Sequence, residues 1–349
     1  MNSMKNNKQI QSPFFSVVIP VYNKEPHIAR SIESVLNQSF NNFELIIVCD
    51  PSTDNSNLEV ERFLDYRIRV FYRNEPGPGG YAARNLGIKN AKAEWIAFLD
   101  ADDEWYLDYL QNSYDLISEF PKSLFIGSGW DTLDPDHSHN IVTSKYFEKY
   151  ADKENHSISF KDYLSNELYL ERPFYTSTVI IKKSILLKSG LFPEGRAKRG
   201  GDVDTWLRCA NIAKKITVGG YIGACYYRDS INMVSRQSID SGQALRDSIK
   251  SIVKETQDYE TIILLKRFSN LYTKRAWIHN LHLDVDNANF NLFKTIYFKV
   301  DDYPIKTIRL AALSLLPRNT FLKLLEIKAH IKYKISLKHK IFDGDKYNE

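Results

Sequence analysis

A regular alternation of short apolar runs and helical patterns in the first hundred residues is the feature that most constrains how this chain folds. The apolar runs are rich in β-branched and aromatic residues, as strands buried on both faces of a sheet are. They are Phe14–Val21, Phe43–Val48, Ile68–Tyr72 and Trp95–Leu99. Helical patterns begin at Pro26, near residue 57 and at Tyr81. Four strands separated by helices predict a doubly wound, mostly parallel α/β sheet.

The pattern of the rest of the chain is less regular. The predicted elements are a helix at Trp105–Phe120, a strand at Leu124–Gly129, a polar excursion at 131–170, a β-rich segment at Tyr175–Ile181, a helix at Asp202–Ala213 and one or two strands at Ile216–Tyr227. From about residue 237 the pattern is purely helical. We therefore predict an α/β domain at 1–236 and a helical C-terminal region at 237–349.

Composition excludes several classes of protein. With 43% hydrophobic residues the chain can bury a large core, so it is neither disordered nor collagen-like. Its three cysteines, Cys49, Cys209 and Cys225, are far apart, which argues against a disulfide framework and a CxxC zinc site. The polar start of the chain lacks an apolar signal region, and no apolar stretch reaches about 18 residues. We expect a cytoplasmic protein.

The net charge of +4 hides an uneven distribution. Residues 304–341 hold nine basic residues and one acid, which leaves a net charge of −4 on the rest of the chain. Such a mildly acidic body differs from a uniformly basic nucleic-acid binder, so we expect no nucleic-acid partner. Within the basic tail, the apolar stripe of Phe321–Ile335 fits either a helix on an anionic membrane surface or a helix docked on the body with its lysines in solvent. The first alternative predicts peripheral attachment to the inner face of the cell membrane.

The sharpest local motif is an apolar strand that runs into three carboxylates, Asp100, Asp102 and Asp103. Open α/β sheets bind ligands at the carboxyl ends of their strands. In an extended chain Asp100 and Asp102 point the same way, and two close carboxylates suit a hard divalent cation that keeps coordination sites for phosphate. The alternative is a solvated turn in which Asp103 caps a helix at Trp105.

Two other strand ends carry candidate ligand-binding residues. The first strand ends at Pro20, Val21 and Tyr22, with Glu25 close behind, and Tyr22 could offer its ring to a nucleotide base; a simple strand-to-helix turn explains these residues equally well. Asp50 could accept hydrogen bonds from a base or ribose, or start an Asx turn. Neither G-x-G-x-x-G nor G-x-x-x-x-G-K-[ST] follows the first strand, which argues against a dinucleotide dehydrogenase and a P-loop NTPase.

Two glycine-containing stretches complete the set. The glycines of residues 77–80 allow close backbone approach to a ligand, and Arg84 lies where it could reach a phosphate; an ordinary flexible loop would also contain such glycines. Further along, Gly200 and Gly201 join a basic loop to a helix that starts near Asp202. Asp202 is therefore either the N-cap of that helix or a general base that the helix dipole keeps ionised.

In this order and spacing, these features resemble the inverting family 2 glycosyltransferases, which have the GT-A nucleotide-sugar-binding fold. The resemblance spans about residues 14–236. Its motifs are SVVIPVYN, CDPSTDNS, GPGGYAARNLGIKNA, WIAFLDADDEW and GGDVDTWLR. It implies a metal-dependent, inverting glycosyltransferase of the hexosyltransferase type. Such an enzyme moves a sugar from a nucleotide-diphosphate sugar to a saccharide or lipid-linked saccharide acceptor, here in bacterial surface polysaccharide synthesis.

The resemblance also implies roles for individual residues. Those that would bind the nucleotide-sugar are Pro20, Val21, Tyr22, Glu25, Asp50, Arg84, Asp100 and Asp102. Asp100, the first aspartate of the D-x-D motif, would contact the ribose, and Asp102 would hold Mn²⁺ or Mg²⁺ on the diphosphate. Asp202 would be the catalytic base that takes the proton of the acceptor hydroxyl.

Three positions depart from the family pattern. Cys49 stands where an aspartate is common, Gly201 replaces a glutamate, and Asp229-Ser230 replaces a histidine that can complete the metal shell. These departures leave open an alternative, a degenerate glycosyltransferase-like binding or scaffold protein without catalysis. A sugar-phosphate nucleotidyltransferase is a weaker alternative, because its glycine- and basic-rich signature does not follow the first strand.

Overall fold

A mixed, nine-stranded β-sheet forms the centre of the described part of the chain. The computed structural model describes residues 12–133, 145–150, 154–228, 241–283, 292–301 and 304–316, with the single positions 239, 320 and 323. The strands are β1 Phe15–Val21, β2 Phe43–Cys49, β3 Ile68–Tyr72, β4 Trp95–Phe98, β5 Glu104–Trp105, β6 Phe125–Leu133, β7 His156–Ser159, β8 Val179–Lys182 and β9 Lys215–Tyr227. Their order is β3-β2-β1-β4-β8-β6-β9-β5, and β7 also pairs with β9.

Helices connect these strands and follow the last of them. They are α1 Ile28–Leu36, α2 Ser56–Glu61, α3 Tyr81–Asn90, α4 Tyr109–Glu119, α5 Lys145–Tyr150, α6 Phe160–Tyr169, α7 Lys183–Lys188, α8 Gly201–Ala213, α9 Gln243–Glu255, α10 Tyr259–His282 and α11 Pro304–Leu313. Short 3₁₀ turns lie at Pro78–Gly80, Thr176–Thr178, Leu292–Lys294 and Phe298–Val300. The helix predicted to start at Pro26 begins at Ile28, and it buries Ile28, Ile32 and Val35.

The predicted parallel α/β arrangement is confirmed for the first half of the sheet. Strand β1 pairs in parallel with β2 and with β4, and β2 pairs in parallel with β3. Side chains alternate between two hydrophobic clusters along β1, since Val18 lies in one cluster and Val17 and Ile19 lie in the other. Both faces of this strand are therefore covered, as its unbroken apolar sequence predicts.

The middle of the sheet contains an antiparallel strand that the sequence pattern did not reveal. Strand β8 is antiparallel to both β4 and β6. Because it runs in the opposite direction, the turn at Thr176–Thr178 that precedes it lies beside the carboxyl end of β4. The main-chain N–H of Asp100 accordingly donates to Ser177 Oγ at 3.1 Å.

The prediction of a helix from Trp105 is wrong at its start, since α4 begins at Tyr109. Trp105 instead pairs with Ala224 of β9, and its indole N–H donates to the carbonyl of Ser177 at 2.6 Å. Asp103 caps no helix, because its carboxylate accepts a hydrogen bond from Ser177 Oγ at 2.5 Å. Asp103 thus makes a long-range contact with Ser177 instead of capping the helix that follows it in sequence.

The prediction of a polar excursion at 131–170 is also wrong for much of that segment, which contains α5, β7 and α6. Helix α6 starts at a capping box formed by Ser159 and Asp162. It buries Phe160, Tyr163 and Leu164, which share one face of the helix. The S-x-x-D sequence followed by this spacing is the signal that could have revealed the helix.

The C-terminal helices share a core with the α/β part of the chain. Leu245 of α9 and Phe268 of α10 lie in the same hydrophobic cluster as Trp206 of α8. The predicted boundary between residues 236 and 237 falls outside the described residues, so the two-domain division stays a prediction. None of the helices in the described ranges combines the length and hydropathy that a membrane span needs.

Candidate active site at the carboxyl edge of the sheet

The carboxyl ends of β1, β2 and β4 meet at one edge of the sheet, which we call the carboxyl edge (residues 20–25, 49–52 and 99–103). The main-chain N–H of Asp50 donates to the carbonyl of Val21 at 2.9 Å, which joins the ends of β1 and β2. Leu99 donates to the carbonyl of Val18 at 3.2 Å, which joins β4 to β1. Three motifs that are far apart in sequence therefore lie side by side.

Asp50 is buried and both of its carboxylate oxygens have protein partners. Oδ1 lies 2.5 Å from Arg73 Nη1, and Oδ2 accepts the main-chain N–H of Gly77 at 3.0 Å. The side chain thereby fixes the start of the glycine-rich loop at the edge of the sheet. Each carboxylate oxygen has a second lone pair, so a further hydrogen bond from a ligand is compatible with this position.

The segment that follows β1 contains one exposed aromatic ring and two side chains that hold the loop after β2. Tyr22 is 42% exposed, so its ring is open to a ligand at the carboxyl edge. Asn23 has a left-handed backbone (φ 51°), and its Oδ1 accepts the main-chain N–H of Thr53 at 2.8 Å. The carboxylate of Glu25 accepts the main-chain N–H of Asn55 at 2.9 Å. Glu25, a predicted nucleotide-binding residue, thus braces the loop after β2 in this structure.

Arg84 lies in the first turn of α3 and is buried. Its Nη2 lies 2.5 Å from Asp100 Oδ1, and its Nη1 donates to the carbonyl of Gly79 at 2.9 Å. A side chain at Gly80 would lie 3.3 Å from Arg84 Nη1 and 3.4 Å from Pro20 Cβ, so the glycine loop packs closely on the edge. Arg84 holds Asp100 in place here, whereas the sequence suggested a contact with phosphate.

Asp102, the predicted metal ligand, is held from two sides by α1 and the turn before it. Lys24 Nζ lies 2.7 Å from Asp102 Oδ2. Arg30 Nη2 donates to the main-chain carbonyl of Asp102 at 2.6 Å, and its guanidinium stacks 3.4 Å above the Tyr227 ring. Sequence reasoning missed Lys24 as a member of the site; its position directly after the first strand end was the available signal.

Asp103 is the most deeply buried of the three carboxylates. Its Oδ2 accepts hydrogen bonds from Ser177 and Tyr175, and its Oδ1 has no hydrogen-bond partner in the described part of the chain. Burial, reinforced by the charges of Asp102 and Asp100, raises the pKa of Asp103 well above its ordinary value. Burial also raises the pKa of Asp100, against the opposing charge of Arg84. Within the described residues, two cations, Arg84 and Lys24, lie within ion-pair distance of these three carboxylates.

Three close carboxylates with two paired cations fit the binding of a divalent cation. Carboxylate oxygens are the donors that Mg²⁺ and Mn²⁺ prefer, and such ions are often held by one or two carboxylates together with substrate phosphates. Within the described ranges, no group of three or more His, Cys, Asp or Glu side chains is placed to hold a metal. Asp229 and Ser230, which the sequence placed at the third metal contact, lie outside the described residues.

Asp202 lies in the first turn of α8, on a segment that we call the Asp202 side (residues 192–205). The N-cap of α8 is Gly200, which has a left-handed backbone (φ 71°), so the expectation that Asp202 is the N-cap is wrong. Asp202 Oδ2 lies 3.5 Å from Thr176 Oγ1. The turn before β8 therefore touches both Asp202 and, through Ser177, the carboxyl edge.

Two residues of α3 that the sequence did not indicate hold the Asp202 side in place. Tyr81 Oη accepts the main-chain N–H of Gly201 at 2.8 Å, and a side chain at Gly201 would come within 2.6 Å of the Tyr81 ring. Asn85 exchanges two hydrogen bonds with the main chain of Phe192, at 2.9 and 3.1 Å. Helix α3 thus connects the Asp202 side to Arg84 and the carboxyl edge.

Asp202 also interacts electrostatically with both halves of the site. Its charge adds to the increase in the pKa of Asp100 and to that of Glu167. Glu167 is a buried residue of α6 whose Oε2 lies 3.3 Å from Arg172 Nε. The charge of Asp202 thus acts both on a carboxylate of the carboxyl edge and on the buried Glu167 of α6.

Comparison with known proteins identifies the family of this domain. Residues 16–185 match the model of glycosyl transferase family 2. An uncharacterized glycosyltransferase of Rickettsia felis is 35% identical over 59% of this chain and 31% of its own length. Glycosyltransferase GlyG of Streptococcus pneumoniae is 29% identical over 74% of this chain and 87% of its own. The Escherichia coli β-1,3-glucosyltransferase WfgD is 38% identical over 32% of this chain and 44% of its own.

Solved structures show the same fold. The 1–349 fragment of Staphylococcus aureus TarS in complex with UDP-GlcNAc superposes with a TM-score of 0.68 over 86% of this chain and 90% of that one, at 18% identity. The mannosyltransferase PcManGT of Pyrobaculum calidifontis, in complex with GDP-Man and Mn²⁺, has a TM-score of 0.53 over 92% of this chain and 81% of that one, at 16% identity. Residues 16–185 therefore belong to a family 2 glycosyltransferase domain, and the solved structures show that its fold is GT-A. The chain spans less than a third of the length of the Rickettsia felis relative.

Proposed function

We propose that this protein is an inverting glycosyltransferase that transfers a hexose from a nucleotide-diphosphate sugar to an acceptor hydroxyl. The observation that carries the proposal is the grouping of Asp100, Asp102 and the exposed ring of Tyr22 at one edge of a GT-A sheet, with Asp202 on the adjoining helix. The fold supports donor binding at this edge, because open α/β sheets bind ligands at the carboxyl ends of their strands.

Each residue has a role in the proposed reaction. Tyr22 and Asp50 bind the nucleoside, and Arg84 positions Asp100 toward the ribose. Asp202 accepts the proton of the acceptor hydroxyl while that oxygen attacks the anomeric carbon from the face opposite the diphosphate. A single displacement of this kind inverts the anomeric configuration and needs no nucleophilic side chain.

Asp202 is suited to this role by its surroundings. No lysine or arginine of the described ranges lies within ion-pair distance of it, while Asp50, Asp100 and Asp102 each have such a partner. A carboxylate without a paired cation keeps its lone pairs available for a proton. Asp202 also lies in the first turn of α8, where the positive end of the helix dipole faces it.

A divalent cation, Mn²⁺ or Mg²⁺, fits this proposal, with Asp102 as its protein ligand. When bound, such an ion would neutralise charge that develops on the leaving diphosphate. Two observations support it: the three close carboxylates at residues 100–103, of which two have a paired cation, and the presence of Mn²⁺ with GDP-Man in the complex of PcManGT.

The names of similar proteins suggest the kind of substrate. TarS was solved with UDP-GlcNAc, and WfgD is named for transfer from UDP-Glc to a GlcNAc-diphosphoundecaprenol. We therefore propose a nucleoside-diphosphate sugar as donor and a saccharide or lipid-linked saccharide as acceptor. Such a reaction belongs to the synthesis of a bacterial surface polysaccharide.

A peripheral contact with an anionic membrane is part of the same proposal. The stripe predicted at Phe321–Ile335 lies almost entirely outside the described residues. Upstream of it, α11 and the turn after it expose Ile305, Ile308 and Leu315. Ile305 and Ile308, three residues apart, share one face of α11, and Lys306 and Arg309 follow them in sequence. An apolar face with basic neighbours is typical of helices that lie on anionic lipid surfaces.

Thermal unfolding with UDP, GDP, dTDP and CMP, each with and without Mn²⁺, tests the donor site. A ligand at about 100 times its dissociation constant adds ~2.7 kcal/mol to the free energy of unfolding, so the melting temperature rises measurably. We expect one nucleotide to stabilise the protein only with metal, and Asp102→Ala to abolish the effect. No shift with any of them would contradict the proposal and favour a scaffold protein without catalysis.

Pelleting with anionic liposomes tests the membrane contact separately. We expect the full chain to sediment with phosphatidylglycerol vesicles, and Ile305→Asp/Ile308→Asp to reduce the bound fraction. Leu58→Asp, at an exposed leucine of α2, is the control for an added charge. If the variant with both isoleucines changed binds as the unmodified chain does, α11 is not the contact surface.

A further inference from the structure

Lys24 forms an ion pair with one oxygen of Asp102, the proposed metal ligand. Its Nζ lies 2.7 Å from Asp102 Oδ2, and the two side chains are only 13% and 14% exposed. An ammonium group and a divalent cation on one carboxylate oxygen repel each other strongly, since little water screens them at this depth. Lys24 and the metal therefore compete for Asp102.

The backbone of Lys24 is fixed by hydrogen bonds, so only its side chain is able to move when a metal ion or a donor binds. Its main-chain N–H donates to Ser56 Oγ at 2.7 Å, and its carbonyl accepts the N–H groups of His27 and Ile28 at 2.9 Å each. The ammonium group is carried by a flexible four-carbon stem with three rotatable donors. With a fixed backbone and a flexible side chain, Lys24 is suited to move its ammonium group from one anionic partner to another.

The two other carboxylates of the motif, Asp100 and Asp103, already have partners of their own. Asp100 already has Arg84 at 2.5 Å, and Asp103 is enclosed by Ser177 and Tyr175. The diphosphate of a donor bound at the carboxyl edge would bring new negative charge close to Asp102. That diphosphate is the natural second partner for an ammonium group that the metal has displaced.

We propose that Lys24 is an exchangeable counter-ion that couples metal binding to donor binding. It neutralises Asp102 when no metal is bound, leaves that carboxylate when a divalent cation arrives, and then binds the diphosphate of the donor. Lys24 thus lowers the affinity for the metal ion before the donor binds. Once the donor is bound, Lys24 is a second positive group beside the leaving diphosphate. This inference rests on the proposed metal and donor sites.

Mn²⁺ binding without nucleotide tests the first half of the inference. The electron paramagnetic resonance signal of free Mn²⁺ reports the dissociation constant for the full chain and for Lys24→Met. We expect Lys24→Met to bind Mn²⁺ about three- to tenfold more tightly, the size of effect that removal of one competing ion pair produces. Lys274→Met is the matched control, because Lys274 Nζ forms a similar pair with Asp301 at 2.9 Å on the C-terminal helices.

Calorimetric binding of a nucleoside diphosphate at saturating Mn²⁺ tests the second half, with UDP as the probe, or the diphosphate selected by the thermal screen. In contrast to the tighter binding of Mn²⁺, we expect Lys24→Met to bind the nucleoside diphosphate about three- to tenfold more weakly, because the diphosphate has lost a cationic partner. Lys274→Met should again match the unmodified chain. Opposite effects of one substitution on metal and nucleotide are not expected of a residue that only stabilises the fold.

Mn²⁺ affinity that is unchanged or weakened in Lys24→Met would overturn the inference, as would a lack of Mn²⁺ binding in every variant. Tighter Mn²⁺ with unchanged nucleotide affinity would overturn the transfer to the diphosphate. If no variant binds any nucleotide, the proposed function fails, while tighter Mn²⁺ binding by Lys24→Met would still support competition at Asp102. Should Lys24→Met unfold, Lys24→Gln carries the same two measurements.

Discussion

The carboxyl edge and the Asp202 side use their carboxylates in opposite ways. At the carboxyl edge, Asp50, Asp100 and Asp102 are each paired with an arginine or lysine at 2.5–2.7 Å. On the Asp202 side, Asp202 has a threonine hydroxyl at 3.5 Å and no ion-pair partner in the described ranges. Paired carboxylates position groups and hold charge, whereas an unpaired one remains free to take a proton. Under the proposed function, this difference separates donor binding from proton transfer within one site.

The largest effect that this comparison predicts is on turnover. Asp202→Asn removes the proposed base without changing the shape of the side chain, so we expect the rate of sugar transfer to fall about 10²–10⁴-fold. Release of the nucleoside diphosphate, with and without acceptor, measures this rate. Asp247→Asn, at an exposed position of α9, is the control for loss of a carboxylate. A rate within fivefold of the unmodified chain would show that another group accepts the proton.

The next largest effect concerns the metal. Asp102→Asn removes the proposed ligand and leaves Lys24 without its carboxylate, so we expect the Mn²⁺-dependent part of nucleotide affinity to fall about tenfold or more. Titration of Mn²⁺ at fixed nucleotide, with the melting temperature as the readout, measures this loss. EDTA should reproduce it in the unmodified chain. Equal Mn²⁺ dependence in both proteins would exclude Asp102 as the ligand.

A smaller effect is expected at the link between the two regions. Tyr81→Phe deletes the hydroxyl that accepts the N–H of Gly201, and one such hydrogen bond contributes about 1 kcal/mol. We expect a modest loss of stability in urea and a several-fold decrease in kcat, because α8 carries Asp202. The Kd for nucleotide should stay constant. A change in nucleotide affinity without a change in kcat would contradict the proposed role of Tyr81.

The smallest expected effect is a pH dependence of the free energy of unfolding that arises from Glu167 of α6. Burial raises the pKa of Glu167 above its ordinary value of 4.5, although Arg172 opposes the increase. The folded protein then binds a proton more tightly than the unfolded chain, so stability decreases as pH rises from about 4.5 through the raised pKa. Glu167→Gln should flatten this part of the profile in urea unfolding at several pH values. An unchanged slope would show that Glu167 titrates normally.

The sequence predicts the carboxyl edge better than the Asp202 side, for a physical reason. Tyr22, Asp50 and Asp100 each follow a short apolar strand, and parallel strands must end at the same edge. The hydrogen bond from Gly201 to Tyr81 joins residues 120 positions apart, and no local pattern encodes it. Asn85 and Phe192, 107 positions apart, are a second case. Local periodicity places residues on strands and helices but not the contacts between distant segments.

The same limit explains the errors in the fold. Strand β8 is as apolar as its neighbour β4, and nothing in its residues reveals that it runs in the opposite direction. The residues that follow Trp105 in sequence form a helix, so Trp105 was predicted to be helical too. It lies in a strand instead, because it pairs with β9 and donates a hydrogen bond to Ser177. Helix α6 is a different case, because its capping box and its buried face are both visible in the sequence.

The most direct test of the central claim is a calorimetric titration of the selected nucleoside diphosphate into Asp202→Asn and Asp102→Asn, side by side, in Mn²⁺. The claim is that donor binding belongs to the carboxyl edge and that proton transfer belongs to Asp202. It predicts that Asp202→Asn binds the nucleotide as the unmodified chain does, whereas Asp102→Asn binds it at least about tenfold more weakly. Loss of nucleotide binding in Asp202→Asn, or unchanged binding in Asp102→Asn, would contradict this division of the site.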